Sequence, residues 1–310
     1  MSATQQSCRD PRRVAGAVVA ALLVHAGALS AQELEPRAYS PSPTGTTFIA
    51  VTATRSTGGV FTDPSAPLTD VEATLGVCGL GVGQSFALMG KSALVLGLVP
   101  IAWGTATGKI GEDSREATRR GFADARVKMS VILAGSEPLS PAEFARAPRR
   151  TIVGASLTVV PPIGQYHPSK LVNLGSNRWA FKPEVGLSIP AARWTFDGYA
   201  AVWLFTDNDH YFPGESRRHQ DAILALQTHV SYTLWRRAWV AGNATWYAGG
   251  KSSIDGAPSS ASYRNARFGA TLAVPAGARQ SLKIAYSAGA ATRLGADFRT
   301  ITAAWQMIFF

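Results

Sequence analysis

The sequence predicts an all-β protein: a transmembrane, antiparallel, up-and-down β-barrel of about 12 strands behind a cleaved signal peptide. Three observations lead to this prediction. The N-terminus looks like an export signal, the later segments alternate between apolar and polar residues, and the connections between these segments alternate in length. We expect residues 1–31 to be the signal peptide, 32–47 a short periplasmic N-terminal segment, and 48–310 an outer-membrane barrel.

The export signal has its usual parts. Three arginines precede an apolar run at residues 14–29, and small residues continue to Ala31. The run is shorter than the roughly 18 apolar residues of a spanning helix, and His25 interrupts it. No later segment reaches that length either. An exported chain that is 46% hydrophobic must then place its apolar residues on the faces of sheets, and in a bilayer such sheets must close.

The clearest alternation lies between residues 177 and 205. Apolar side chains occupy alternate positions on both sides of a tight turn at residues 190–193: Phe181, Val185, Leu187 and Ile189, then Trp194, Phe196, Ala200, Val202 and Leu204. Alternation over roughly ten residues is typical of a transmembrane strand, whereas an average strand in a soluble protein has about five or six residues. This stretch therefore predicts a transmembrane hairpin.

The other strands are predicted between connections of alternating length. Turn residues place these connections at 56–68, 83–91, 104–121, 135–149, 161–178, 190–193, 207–219, 235–238, 249–262, 275–279 and 288–297. Bacterial barrels have short periplasmic turns, long external loops and an even number of strands. Twelve strands place both ends of the barrel in the periplasm. Only the link 135–149, with a short helix expected near residues 141–146, is longer than this rule predicts.

Aromatic residues mark two membrane interfaces. Those near predicted outer strand ends are Trp103, Trp179, Phe205 and Trp246, and those near inner ends are Trp194, Trp235, Trp239 and Phe309. Such belts are typical of membrane proteins. The final strand ends in an aromatic residue, a pattern linked to recognition by the barrel-assembly machinery. We therefore expect a Gram-negative outer-membrane location, with membrane lipid, lipopolysaccharide and that machinery as partners.

Two segments carry a resemblance to a known family. The first is residues 34–41, LEPRAYSP, and the second runs from PPIGQY at 161–166 to NRWAFKPE at 177–184. They resemble the outer-membrane family named for the meta-cleavage pathway of phenol degradation, which is related to channels for hydrophobic compounds. The resemblance implies a passive transporter or channel for small hydrophobic or aromatic compounds and leaves the solute open. Those channels carry a plug before the first strand. Because residues 32–47 are too few for a full hatch, we expect any occlusion to come from loops or from side chains in the lumen.

The alternation also assigns side chains to the lumen. The charged and imidazole side chains predicted there are Glu72, Asp124, Arg126, Lys128, Lys182, Glu184, Arg193, Asp197, Asp221, His229, Arg267 and Lys283. They form either a wall that guides solutes or ion pairs that fill a narrow interior, and the near balance of signs favours ion pairs. An apolar stripe of Leu94, Leu96 and Leu98 on the same face would suit a hydrophobic solute or pack against an inward loop.

Loop 161–178 is the longest irregular stretch. It contains Tyr166, His167 and Asn173, and it either folds inward as a constriction or lies on the surface. Both alternatives remain open from the sequence.

An enzyme is the main functional alternative to a channel. His229, Ser231 and Asn243 are similar to the arrangement in outer-membrane phospholipase A, where histidine activates serine. That site faces lipid, however, whereas parity places His229 and Ser231 in the lumen. We therefore predict no catalytic, cofactor-binding or metal-binding residues. A structural barrel without transport is a further alternative. Removal of the signal lowers the formal charge from +10 to +8, and the remaining cations are scattered, so we expect no nucleic-acid partner.

Overall fold

The computed structural model describes residues 34–61, 68–110, 112–170, 172–235, 237–259 and 262–310. The predicted signal peptide lies outside this part of the chain. The elements within it are β1 (Thr47–Phe61), β2 (Leu68–Leu88), β3 (Lys91–Ile110), β4 (Asp113–Phe122), β5 (Arg126–Ala134), α1 (Pro141–Phe144), β6 (Ile152–Val160), β7 (Ala180–Ala191), β8 (Trp194–Phe205), β9 (Asn208–Tyr211), β10 (Ser216–Gln220), β11 (Ile223–Thr233), β12 (Trp239–Gly249), β13 (Ser252–Ile254), β14 (Ala257–Pro258), β15 (Tyr263–Pro275), β16 (Gln280–Ala291) and β17 (Gly295–Phe309).

The main sheet closes into an antiparallel barrel of twelve strands. Its order is β1, β2, β3, β5, β6, β7, β8, β11, β12, β15, β16 and β17, and β17 pairs with β1 to complete the ring. Strand β4 continues β5 toward the outside, since β4 pairs with the outer half of β3 and β5 with the inner half. The predicted fold class and strand number are confirmed.

The two faces of the barrel differ in polarity, as β11 illustrates. Gln227, His229 and Ser231 point inward and are almost fully buried, whereas Leu226 and Val230 point outward and are exposed. A soluble protein would bury the apolar set. The exposed apolar face therefore fits lipid, and it follows the period-two pattern of the sequence.

Several strands are longer than predicted. The expected loop 104–121 is the upper part of a hairpin, in which Ile110 of β3 pairs with Asp113 of β4. Strand β2 likewise continues to Leu88, so the predicted link 83–91 shortens to a tight turn. Beyond the membrane, on either side, water reaches both faces of a strand. The apolar alternation that signals a strand therefore disappears there.

A small sheet of β9, β10, β13 and β14 stands at the outer end of the barrel. It forms within the predicted loops 207–219 and 249–262. Tyr211 is its buried centre and packs against Phe212 and Ile254. The predicted short helix is α1, and Ser140 caps its start through a reciprocal bond pattern with Glu143. In the described part of the chain, no helix has the length and apolar character to cross a membrane.

The aromatic belts are present, with two exceptions. Trp103, Trp179 and Trp246 are exposed at the outer end, and Trp194 and Trp235 at the inner end. Two further aromatic residues do not follow the prediction. Phe205 packs against a buried cluster inside the barrel, and Trp239 lies under the guanidinium of Arg37.

Candidate functional site in the barrel interior

The N-terminal segment of residues 34–40 lies inside the barrel. Arg37 donates from its backbone N–H to Asp197 Oδ2 at 3.2 Å, and its side chain donates from Nε to Ser231 Oγ at 2.8 Å and from Nη2 to Thr233 Oγ1 at 2.9 Å. The Arg37 guanidinium also lies 4.8 Å from the ring centre of Trp239. These contacts are on β8, β11 and β12 near the periplasmic rim. They correct the expectation that residues 32–47 stay in the periplasm and leave occlusion to other parts of the chain.

The Tyr39 ring fixes the N-terminal segment inside the barrel, because it fits into a hollow between β6 and β7. Gly154 of β6 and Gly186 of β7 are cross-strand partners, and the Tyr39 ring lies over both. A Cβ at either glycine would come within 2.2 Å of this ring. The ring also meets Tyr199 edge-on, with centroids 5.3 Å apart. The two glycines are thus required by the close approach of Tyr39, which is itself only 1% exposed.

A charged cluster joins the segment to the wall. Lys128 Nζ lies 2.7 Å from Glu35 Oε2 and 3.8 Å from Glu184 Oε1. Lys182 Nζ lies 3.2 Å from Glu184 Oε2, and the Tyr39 hydroxyl donates to Glu184 Oε1 at 3.0 Å. Lys182 and Glu184 are each 3% exposed, so every charge here depends on its partners. This cluster forms the floor of the outer half of the interior.

The outer half of the inner wall carries a cluster of buried apolar side chains, beside the buried Asn265 and Arg267 of β15. Its buried cluster is Val160, Ala180, Ala201, Trp203, Ile223, Ala225, Tyr247, Tyr263 and Leu294. All but Leu294, which lies in the short β16–β17 connection, come from strands close to the external ends of β6, β7, β8, β11, β12 and β15. The interior therefore has an outer half that is partly apolar, called the outer chamber below, and a polar inner half that contains residues 34–40.

The apolar stripe on β3 lies on the inner face of the wall. Leu94, Leu96 and Leu98 pair with Ser130, Lys128 and Arg126 of β5, which all lie on the inner face. A Cβ at Gly83 would come 3.1 Å from Leu96 Cδ1, so the stripe covers glycine positions on β2. It is a second apolar surface of the inner wall, and β5 with its inward Arg126 and Lys128 separates it from the cluster of the outer chamber.

Asp124 anchors loop 161–178 to the wall. Its carboxylate accepts from Gly164 N at 2.8 Å and from both the backbone N and the Oγ of Ser176 at 2.7 Å. The Gln165 N–H also donates to Phe122 O at the end of β4, whose other edge is not paired by a strand of the described chain. The loop therefore seals the outer wall between β4 and the neighbouring strands.

The three residues singled out in this loop have different positions. Tyr166 Oη accepts from Asn208 Nδ2 at 2.9 Å and donates to His210 O at 3.0 Å, and burial raises the pKa of this phenol. Asn173 is buried and accepts from the His167 N–H at 2.8 Å, so it holds the loop's own turn together. The His167 side chain is exposed.

The structure separates the predicted lumen residues into three groups. On the inner face lie the leucine stripe with Arg126, Lys128, Lys182, Glu184, Asp197, His229, Arg267 and Lys283, and Asp124 is buried beside loop 161–178. Glu72 is on the outer face, because it shares the parity of the lipid-facing Leu80. Arg193 and Asp221 are exposed in connections beyond the strand ends, so parity does not apply to them.

His229 and Asn243 do form the contact that the enzyme alternative requires. His229 Nδ1 lies 2.8 Å from Asn243 Oδ1, and Asn243 Nδ2 donates to Thr271 Oγ1 at 3.0 Å. Ser231 is fully buried, however, and its hydroxyl accepts from Arg37. The trio thus faces the lumen, away from lipid, and Ser231 supports the N-terminal segment.

Sequence reasoning missed Glu35, Arg37 and Tyr39 as interior residues. Two signals pointed to them. They belong to the segment that carries the family resemblance, and Gly154 and Gly186 leave a gap on inner-facing positions of strands that otherwise carry polar side chains there. A gap of this kind on neighbouring strands indicates the close approach of another part of the chain.

Comparisons with known proteins agree with the fold. A family model described as "Putative MetA-pathway of phenol degradation" matches residues 78–299. The chain is similar to an outer membrane channel from Pseudomonas putida F1, with 20% identity, a TM-score of 0.77, and coverage of 89% of this chain and 100% of that one. It is also similar to the beta domain of the Bordetella autotransporter BrkA, with 11% identity, a TM-score of 0.51, and coverage of 86% and 100%.

A third likeness is to the transport unit of the autotransporter AIDA-I from Escherichia coli, with 11% identity, a TM-score of 0.51, and coverage of 96% and 99%. No curated protein matches the sequence. The closed twelve-stranded barrel and these likenesses place the chain in the Gram-negative outer membrane.

Proposed function

Since the chain belongs to the family described by the MetA pathway of phenol degradation, we propose that it is a passive transporter or channel for small hydrophobic or aromatic compounds. The observation that carries the proposal is the apolar cluster in the outer half of the inner wall. A barrel for hydrophilic solutes has a polar, water-filled interior, whereas here aromatic and aliphatic side chains line the wall near the outer end. An apolar solute gains free energy when it leaves water for such a surface.

The polar inner half then controls release. A solute in the outer chamber meets the floor formed by Lys128, Lys182 and Glu184, with Glu35 and Tyr39 of the N-terminal segment above the periplasmic rim. Passage requires residues 34–40 to shift or leave. Loop 161–178 acts as the constriction on the external side, because it bridges Asp124 and Asn208.

The other proposed partners follow from the barrel surface. Membrane lipid contacts the outward apolar residues, and the barrel-assembly machinery recognises the last strand, β17, which ends in an exposed Phe309. We propose no hydrolytic role, since Arg37 occupies the Ser231 hydroxyl that an activated nucleophile would need free.

The test is uptake by a deletion strain across a panel of aromatic and long-chain compounds. Loss of uptake of the apolar compounds, restored by the wild-type chain, is expected. An Ala225→Asp variant should fail to restore it, because the charge would enter the apolar cluster. The matched control is Gln227→Asp, which places the same charge two residues along the same strand, where the inner wall is already polar.

Heat-modifiable gel mobility shows whether each variant folds. Equal uptake by wild-type and deletion strains would favour a structural barrel. If folded Ala225→Asp restored uptake as well as Gln227→Asp, the apolar cluster would not lie on the solute path.

A further inference from the structure

A basic pocket lies at the external end of the wall. It is a cavity of about 220 Å³ between β4 and loop 161–178, and its lining includes Arg119, Arg120, His167 and Lys170 together with the amides of Gln165 and Asn173. No carboxylate is part of the lining. The pocket therefore offers positive charge and hydrogen-bond donors to an anion.

The cations of the pocket lack acidic partners. Arg119 donates from Nε to Val172 O at 2.8 Å and from Nη1 to Thr118 O at 2.7 Å, which fixes the guanidinium and leaves its charge uncompensated. Among the described residues, neither Arg120 nor Lys170 forms a salt bridge. By contrast, Lys109, an exposed cation at the same end, pairs with Asp70 at 2.9 Å.

The register of the strands places the pocket at the level of the outer aromatic belt. Arg120 is the cross-strand partner of Trp103, whose indole covers the bare position at Gly76. Gly76 in turn pairs with Arg55 of β1. Four cross-strand neighbours therefore form one row on the outward face: Arg55, Gly76, Trp103 and Arg120. The backbones of the two arginines are about 14 Å apart.

The same register gives the depth of this row. The neighbouring outward positions toward the periplasm are apolar, with Cys78 and Leu80 on β2 and Ile101 on β3. The positions toward the outside are threonines, namely Thr57, Thr74, Thr105 and Thr118. Tryptophan resides where hydrocarbon meets headgroups. The row therefore lies at the level of lipid phosphates, and Arg120 joins it to the pocket.

We propose that this pocket, with the outward arginine row, binds a phosphate group of lipopolysaccharide in the outer leaflet. Guanidinium groups match phosphate oxygens with two parallel hydrogen bonds, and basic pockets on membrane proteins bind anionic headgroups. Loop 161–178 supplies His167 and Lys170, so a bound phosphate would also hold this loop against β4. The site follows from the membrane location and is independent of the transported solute.

The test is a titration of the full mature protein in non-ionic detergent with purified lipid A, followed by native mass spectrometry. The variant is Arg120→Ala/Lys170→Ala. Each basic residue near an anionic surface contributes about 1 kcal/mol, so the double variant should bind about 30-fold more weakly. The matched control is Arg146→Ala/Arg150→Ala, which removes two exposed arginines from the periplasmic link and should bind as the wild type does.

Two further arms identify the source of the phosphate. Lipid A without its phosphates should bind no better to the wild type than to the double variant. Inorganic phosphate should compete only weakly, because it lacks the acyl chains. Equal lipid A affinity in the folded double variant and the wild type would overturn the proposal. So would undiminished binding of the dephosphorylated lipid, or tight binding of inorganic phosphate that lipid A does not displace.

Discussion

Removal of the Tyr39 side chain should release the N-terminal segment from the lumen. A buried aromatic side chain contributes about 1.5–3 kcal/mol through its apolar surface, and each hydrogen bond about 1 kcal/mol. Tyr39 bonds Glu184 and shares a bond with Ser156. We therefore expect Tyr39→Ala to lose about 3–5 kcal/mol of docking free energy, in line with other large-to-small core substitutions.

This loss should be visible in hydrogen exchange. Two amides report on docking, because Arg37 N–H donates to Asp197 and Ala38 N–H donates to Tyr199 Oη at 3.1 Å. A loss of that size raises the undocked population roughly 10²- to 10⁴-fold, so both amides should exchange much faster in Tyr39→Ala. The control is Tyr286→Ala, which makes the same chemical change on the lipid-facing side of β16.

A second substitution reaches the same contact from the wall. Gly186→Ala introduces a Cβ that would lie 2.2 Å from the Tyr39 ring, whereas nothing lies within 4 Å of a Cβ at Gly198. Gly186→Ala should therefore speed exchange at Arg37 and Ala38, and Gly198→Ala should not. Unchanged exchange in both Tyr39→Ala and Gly186→Ala would refute the docking of residues 34–40 in the hollow.

Further predictions concern the rest of the chain. Cys78 points outward between Ala53 and Ile101, so in intact cells it should react with an apolar maleimide and not with a charged, impermeant one; labelling by the charged reagent would contradict the lipid-facing assignment. Planar bilayers should show small or absent ion conductance, because residues 34–40 fill the inner half; a wide, stable pore would contradict this. The purified protein should release no fatty acid from phospholipid with calcium, and Ser231→Ala should change nothing; serine-dependent release would restore the enzyme alternative. At the outer end, the hydrogen bond from His219, followed by Arg217, lowers the pKa of Asp207. A carboxylate with a depressed folded-state pKa stabilises the fold at pH values above its unfolded pKa. The protection factors of amides in the outer sheet should therefore fall only below about pH 4, and a loss of protection near neutral pH would exclude this cause.

Strand number and the two faces of the wall could be read from the sequence because a bilayer imposes a strict rule. Each transmembrane strand must present one apolar face, so the period of two is a physical requirement and not a preference. In the structure His229 is on the inner face and Val230 on the outer face, and Leu96 is on the inner face although leucine is apolar.

The rule failed where the chain leaves the bilayer. Glu72 was assigned to the lumen from the local run of apolar residues around Val71, yet Val71 is buried inside and Glu72 is exposed outside. At that height both faces of β2 meet water or protein, so lipid no longer decides which set of alternate residues points outward. The predictions for Arg193 and Asp221 failed for a related reason, because side chains in a turn do not alternate between two faces.

The N-terminal segment was missed because its contacts are long-range. Arg37 and Ser231 are 194 positions apart in the chain, and no periodicity relates them. The segment is short, but its length does not decide whether it fills the lumen. What matters is how many partners each residue finds, and residues 35–39 find them on six neighbouring strands.

The charged floor of Lys128, Lys182 and Glu184 couples the position of the N-terminal segment to the hydration of the lumen. When Glu35 leaves, Lys128 keeps only the longer contact to Glu184, and when Tyr39 leaves, Glu184 loses a donor. A buried charge without a partner is strongly unfavourable, so water must follow the segment out and hydrate these groups. Undocking and hydration are therefore one event. Since an apolar solute prefers the apolar cluster of the outer chamber to a hydrated path, its movement past the floor depends on how long the hydrated state persists.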